Sequence, residues 1–309
     1  ESTARTALTA AQDAINDLPT KTKTQREQKD AFTSRLNDLL GQIMHQTKVS
    51  QVNTVATAES ADHPSELFVL GSYVVAVDPS SSHLLVTNLL THQTTTRSVT
   101  VDVGTLVTGA QISTTTLVFL TSRQAFVEYD VSKDTWKPAT VTFAENTSIK
   151  SLSWFQNRLY ALDTGNNSLL RYTRSPATYG TGANWLKAPA DLHTAHQAVV
   201  DGSIFVLLDN GQVEEFFGGK ITSFTLNPVT PTLSDATRLW TDANAKNIYL
   251  LEPKTKRVVA FDKEGKFLRQ YENDGWNSLT DFVVNEKDRL VYLLDGQKVL
   301  SFPLTDITL

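Results

Sequence analysis

An all-β six-bladed β-propeller of four-stranded blades, preceded by an α-helical hairpin, is the fold this 309-residue sequence predicts. Three observations carry the expectation. First, a cassette of three apolar residues and usually an acid recurs six times: Val75-Ala76-Val77-Asp78, Val118-Phe119-Leu120-Thr121, Tyr160-Ala161-Leu162-Asp163, Val206-Leu207-Leu208-Asp209, Tyr249-Leu250-Leu251-Glu252 and Tyr292-Leu293-Leu294-Asp295. Its fourth positions step by 43, 42, 46, 43 and 43 residues. Second, an aromatic mark follows at Tyr129, Tyr172, Phe216, Phe261 and Phe302, with steps of 43, 44, 45 and 41. A period of roughly 40–45 residues of strand and turn is the sequence signature of a propeller blade. Third, residues 1–46 break this rhythm and carry a helical one.

In chain order, Ala4, Leu8, Ala11, Ile15 and Leu18 form a stripe at helical spacing, and Pro19 stops it. Thr24 and Glu27 read as a capping box for a second helix. On it Ala31, Phe32, Leu36, Leu39, Leu40, Ile43 and Met44 trace one face. Two such helices joined by a short polar turn form an antiparallel hairpin, either packed on the propeller or serving as a stalk. Residues 47–309 then hold the blades. Their strands read as near-continuous apolar runs because a blade is covered on both faces by its neighbours. Blade 5 is the clearest, with strands at Ala236–Thr241, Asn247–Leu251, Arg257–Phe261 and Phe267–Tyr271 and turn residues at its joints. Blade 6 lacks an outer strand, and an orphan β-branched segment precedes blade 1. Residues about 48–57 are therefore expected to close the last blade and remove the open edges.

Composition narrows the function classes. A formal net charge of −5 with no basic stripe argues against a nucleic-acid partner. The absence of cysteine removes disulfides, zinc–thiolate sites and cysteine nucleophiles. No apolar run is long enough to span a bilayer. The only methionine is Met44 and the chain starts at Glu1. The expectation is a piece of a larger, extracytoplasmic, membrane-tethered protein, its membrane contact lying in segments outside this chain.

The acids Asp78, Asp163, Asp209, Glu252 and Asp295 invite an ion-binding reading, but each sits where a strand meets a tight turn and bonds to local backbone. Calcium needs six to eight oxygens converging on one point. His193-Thr194-Ala195-His196 could pair two imidazoles, yet it lies in a blade connection without a third ligand. No metal or cofactor is expected, and no catalytic constellation: there is no GxSxG elbow, Walker loop or GxGxxG. Inner-strand polar residues such as Gln111, Lys150, Gln197, Arg238 and Asp281 form no coherent ligand set. The tryptophans are a better lead. Trp154 and Trp240 fall on inner strands, Trp136 on an outer one. Trp276, within Asn273–Asn277, falls in a loop joining one blade to the next. The binding face is accordingly placed on those loops, with Trp185, His193, His196, Asp274 and Trp276 as candidate contacts.

Asn247–Glu252 leading into Arg257–Leu268, and Leu159–Tyr172, resemble NHL repeats. The resemblance implies a six-bladed propeller of a superfamily in which most members are binding platforms, including extracytoplasmic sensor domains, and a minority are metal-dependent hydrolases or lyases. The function expected is a non-enzymatic sensor or scaffold domain that binds a protein, peptide or glycan. The alternative is a metal-dependent hydrolase or lyase with its site in the central channel.

Overall fold

The computed structural model describes residues 2–307 and 309. Six blades of four antiparallel strands surround a central axis. The inner strands are Glu66–Leu70, Leu106–Gln111, Ile149–Phe155, Ala195–Val200, Arg238–Trp240 and Leu279–Asn285. The second strand of each blade carries the repeated cassette. In blades 4 and 5 these strands, Ile204–Leu208 and Asn247–Glu252, are buried at every position. That burial on both faces is why the runs lack alternation. The core is divided to match. Six apolar clusters each fill the gap between two adjacent blades, as where Tyr249, Val258 and Tyr271 of blade 5 meet Phe282, Val291 and Leu293 of blade 6.

Two helices, α1 (Ser2–Asn16) and α2 (Lys23–Ile43), precede the blades. The cap of α2 lies two residues earlier than Thr24 and Glu27. Gln25 N–H donates to Thr22 Oγ1 at 3.2 Å, and Thr22 N–H donates to Gln25 Oε1 at 3.1 Å, a reciprocal box one turn wide. Helix α2 packs against α1 and against β1 (Gln46–Lys48). Leu36 is buried, whereas Phe32 and Leu39 on the same stripe are exposed. The side chains of Ala4, Leu8 and Leu40 lie outside the described residues.

The single strand expected over residues 48–57 is two strands. Strand β1 pairs in parallel with the outer strand of blade 5, Gln46 opposite Gln270 and Lys48 opposite Glu272. The chain then crosses to blade 6, where β2 (Asn53–Thr57) pairs antiparallel with Lys298–Pro303, Asn53 opposite Ser301. Residues between them are anchored at the crossing: Val49 N–H donates to Glu272 O, and Asn273 Nδ2 donates to Val49 O at 2.7 Å. Blade 2 gains a parallel fifth strand in the same way. Thr178–Thr181 leaves blade 3 and lies along Thr140–Thr142. Each added strand covers the exposed edge of a blade.

A candidate binding site in the central channel

Six inner strands around an axis leave a channel between them, and each strand must still satisfy its backbone against its neighbours. In blades 2, 3, 4 and 6 the inner strand has an irregular step just before Thr108, Ser151, Gln197 and Asp281. A bulge of this kind re-aims the following side chain. In blades 1 and 5 the matching residues, Glu66 and Arg238, begin the strand. The result is a tier of six polar side chains, one per blade.

Much of this tier staples blades together. Ser151 Oγ accepts from Ala198 N–H at 2.9 Å, Gln197 Oε1 from Leu239 N–H at 2.7 Å, and Asp281 Oδ2 from Leu67 N–H at 2.7 Å. The charged members face one another. Arg238 Nε stands 3.5 Å from Asp281 Oδ1. Glu66 meets the Thr108 side chain and the Gly109 N–H, and its Oε2 is buried without a hydrogen-bond partner. Burial is the main reason the Glu66 carboxyl is pushed up to about 7; Asp281 adds to the rise, while Thr108 and Arg238 oppose it. Burial likewise pushes Asp281 up to about 6 against the pull of Arg238 and two backbone N–H groups. A desolvated acid prefers its proton when donors are too few.

Beyond the tier lies a cavity of about 1290 Å³. Phe68, Trp154, Phe155 and Trp240 line its walls. Gly109 makes this possible on one side, since a Cβ there would fall 3.1 Å from the Phe68 ring and 2.6 Å from that of Phe119. The turns that join inner to second strands, including Thr241–Lys246 and Asn285–Lys287, form the mouth. One part of the rim is tied across blades by Lys263 Nζ, which contacts Asp201 Oδ2 and Thr241 Oγ1. Glu286 is occupied as well, accepting from Lys246 N–H and the Tyr249 hydroxyl.

The concavity therefore lies on the face opposite the loops that the sequence singled out. Of the five expected contacts, only His196 lines it. Trp276 is 2% exposed and packs its ring 5.3 Å from that of Phe302. It is a packing residue of the interface between blades 5 and 6, and its assignment as an exposed contact is corrected. Trp185 is half-buried with its ring edge-on to Tyr160 at 6.5 Å. His193 is exposed and hydrogen-bonded to Asn167 at 2.8 Å, while Asp274 is exposed and 3.5 Å from Lys48. These residues do not meet at one place.

The repeated acids fasten those loops to the blades. Asp78 accepts from His63 and Ser80 N–H groups, Asp163 from Ser148 and Gly165, Glu252 from Ser234 and Asp235, and Asp295 from Asn277 and Ser278. Each carboxylate clamps the loop entering its own blade. Asp209 instead holds His196, with Oδ1 2.8 Å from Nε2. Among the described residues, no three His, Cys, Asp or Glu converge as metal ligands. Glu66, Thr108 and Ser151 escaped sequence reading. The signal that could have found them is the polar residue recurring nine to eleven positions before each cassette.

No family model matches the chain, and no curated protein matches its sequence. Solved structures do match its shape. Virginiamycin B lyase from Staphylococcus aureus superposes with a TM-score of 0.60 at 11% identity, over 82% of this chain and 99% of the other. A protein of unknown function from Bacteroides thetaiotaomicron gives 0.58 at 11% identity, over 82% and 75%. The β-propeller domain of Cps50 (Swd1) from Myceliophteria thermophila gives 0.57 at 8% identity, over 82% and 100%. At such identities the likeness concerns the fold, and this chain is a six-bladed β-propeller.

Proposed function

We propose that this chain is a non-enzymatic binding domain, a sensor or scaffold that takes a protein, peptide or glycan group into the central channel. It would act as part of a larger, membrane-tethered extracytoplasmic protein. The observation that carries the reading is the channel itself, a concave site with aromatic walls and a few fixed polar groups, the usual composition of a ligand site. Supporting it, four of the repeated acids, Asp78, Asp163, Glu252 and Asp295, are engaged in holding loops, and the tier residues Ser151 and Gln197 in holding blades. A thermal-shift screen of peptides, glycans and small molecules tests the reading. A ligand at 100 times its Kd should stabilise the fold by about 2.7 kcal/mol. Trp154→Ala should abolish that shift while the unliganded protein stays folded. Hits indifferent to Trp154→Ala and Trp240→Ala would sink the proposal.

One observation favours the second reading, a lyase or hydrolase acting in the channel. His196, on the channel wall, is held by Asp209 at 2.8 Å, an arrangement that orients an imidazole for proton transfer. That reading requires His196→Ala to abolish turnover while ligand uptake persists.

A further inference from the structure

The polar tier holds two carboxyls, Glu66 and Asp281, for the single guanidinium of Arg238. Elsewhere in the molecule buried carboxylates are better provided. Glu128 receives two bonds from Arg174 and one from Tyr179, at 2.5, 2.7 and 2.8 Å. Glu252 has Arg257 to itself. Among the described residues, the channel is where a second acid stands beside an arginine already taken, with Glu66 Oε2 buried and unpaired. The same space is walled by Phe68, Trp154 and Trp240. Aromatic faces carry negative potential and attract cations within about 6 Å of the ring centre. Lys150 lines the same channel, but Arg238 is the cation that acts on both Glu66 and Asp281, so at these two acids carboxyls outnumber cations, and the aromatic walls favour the same kind of guest.

Resting on the binding role given above, we propose that the channel recognises an organic cation, a primary ammonium or guanidinium carried on an apolar stem. The charged head is received beside Glu66 and Asp281, and the stem lies along the tryptophan walls. Lysine or arginine side chains of a peptide, a free amino terminus and an amino sugar all present this chemistry. An anionic head would face two carboxyls, and a neutral hydroxyl would gain no charge-assisted bond. The cation also relieves the protein, since it supplies donors that Glu66 lacks.

Three isosteric probes separate the possibilities: phenethylamine, 2-phenylethanol and phenylacetate, titrated calorimetrically and by tryptophan fluorescence against the whole chain. Phenethylamine should bind at least about tenfold more tightly than the alcohol, the worth of one charge-assisted contact, and phenylacetate should be weakest. Glu66→Gln and Asp281→Asn, made separately so that one folded variant suffices, should erase the preference for the amine while leaving the alcohol's affinity unchanged. A merely structural role for these acids would weaken all three probes alike. If the alcohol or phenylacetate binds as tightly as the amine and Trp154→Ala removes that binding, the cation proposal is overturned and the binding role survives. If none of the three binds at millimolar concentration, the cation proposal fails, and the binding role then rests on the ligand screen alone.

Discussion

Two arginine–carboxylate clusters, built from the same residue types, behave in opposite ways. In blade 5, Arg257 and Glu252 are both fully buried, at 0% exposure. Glu252 accepts from Ser234 N–H, Asp235 N–H, the Thr255 hydroxyl and Arg257. Arg257 spends its remaining donors on Gln270 Oε1 at 2.7 Å and Pro231 O at 2.9 Å. In the channel, the side chain of Arg238 keeps 32% exposure and serves two acids. Burial raises the proton affinity of all three carboxyls. The hydrogen bonds to Glu252 outweigh it and hold that carboxyl below its ordinary value, whereas Glu66 and Asp281 stay above theirs. The number of donors per acid, not depth, decides whether a buried charge is locked or free to titrate. The first cluster is architecture. The second retains capacity for a guest.

The largest expected effect comes from breaking the locked cluster. Arg257→Met leaves Glu252 buried without its cation, and such losses run to about 3–5 kcal/mol. The matched change Arg238→Met should cost only about 1–2 kcal/mol, because its neighbours can take up protons. Urea denaturation of both variants at pH 6 makes the comparison. Equal losses would mean that the two clusters do not differ in kind.

Next in size is pH. Glu66 and Asp281 have raised values in the folded state, so their contribution is present in full below the unfolded values of 4.5 and 3.8. It is lost as pH rises through about 6 and about 7. Glu252 and Glu128 have lowered values, so their contribution is present above pH 4.5 and lost as pH falls further. Stability should therefore peak on the acid side of neutrality. It should decline by on the order of 2 kcal/mol toward pH 8, the sense and scale expected for a shift of this size. Thr108, the Gly109 N–H, Arg238 and Asp281 are the groups facing Glu66. In Glu66→Gln about half of that decline should vanish, since Asp281 is shifted by a similar amount. A pH profile unchanged by the substitution would show that Glu66 is already ionised in the folded chain.

A smaller effect tests how far the locked cluster extends. Gln270 Nε2 donates to Thr230 O at 2.9 Å and to Met44 O at 3.3 Å, tying blade 5 to the end of the helical hairpin. Gln270→Leu should cost about 1–2 kcal/mol, the penalty for leaving buried partners unpaired. It should also speed amide exchange in β1. If exchange in β1 is unaltered, the hairpin is held by the strand pairing alone.

How much of this was legible in the sequence follows from which interactions are local. The cassette repeats because every second strand is buried on both faces, so its period survives in the letters. The orphan segment before blade 1 announced itself by having no hairpin partner, although its division into two strands depended on contacts with Glu272 and Asn273, more than 200 residues away. Trp276 read as exposed because glycine, aspartate and asparagine surround it. Its ring is turned inward onto Phe302, which no local pattern records. The channel tier was the hardest to see. Glu66, Arg238 and Asp281 stand on three blades, and their meeting is a property of ring closure. The acids at the cassette ends were read as turn residues. They are that, and they also grip the loop entering the same blade from 15 to 18 residues upstream.

The smallest predicted effect concerns a third acid–cation pair, His196 with Asp209, which is exposed on both sides at 43% and 60%. Water screens it, and exposed pairs are worth about 0–1 kcal/mol. His196→Ala should thus leave the melting temperature within about 2 °C of the parent, since 1 kcal/mol moves a large domain by only a few degrees. That near-silence is informative. Arg257 and Glu252 cannot be exchanged without unfolding penalties, Glu66 and Asp281 can be exchanged at a pH-dependent cost, and His196 with Asp209 should be exchangeable almost freely. A residue that lines the channel, orients a partner and contributes nothing to stability is available for function. If His196→Ala instead melts several degrees lower, the pair belongs with the blade staples, and the case for proton transfer at this histidine is lost with it.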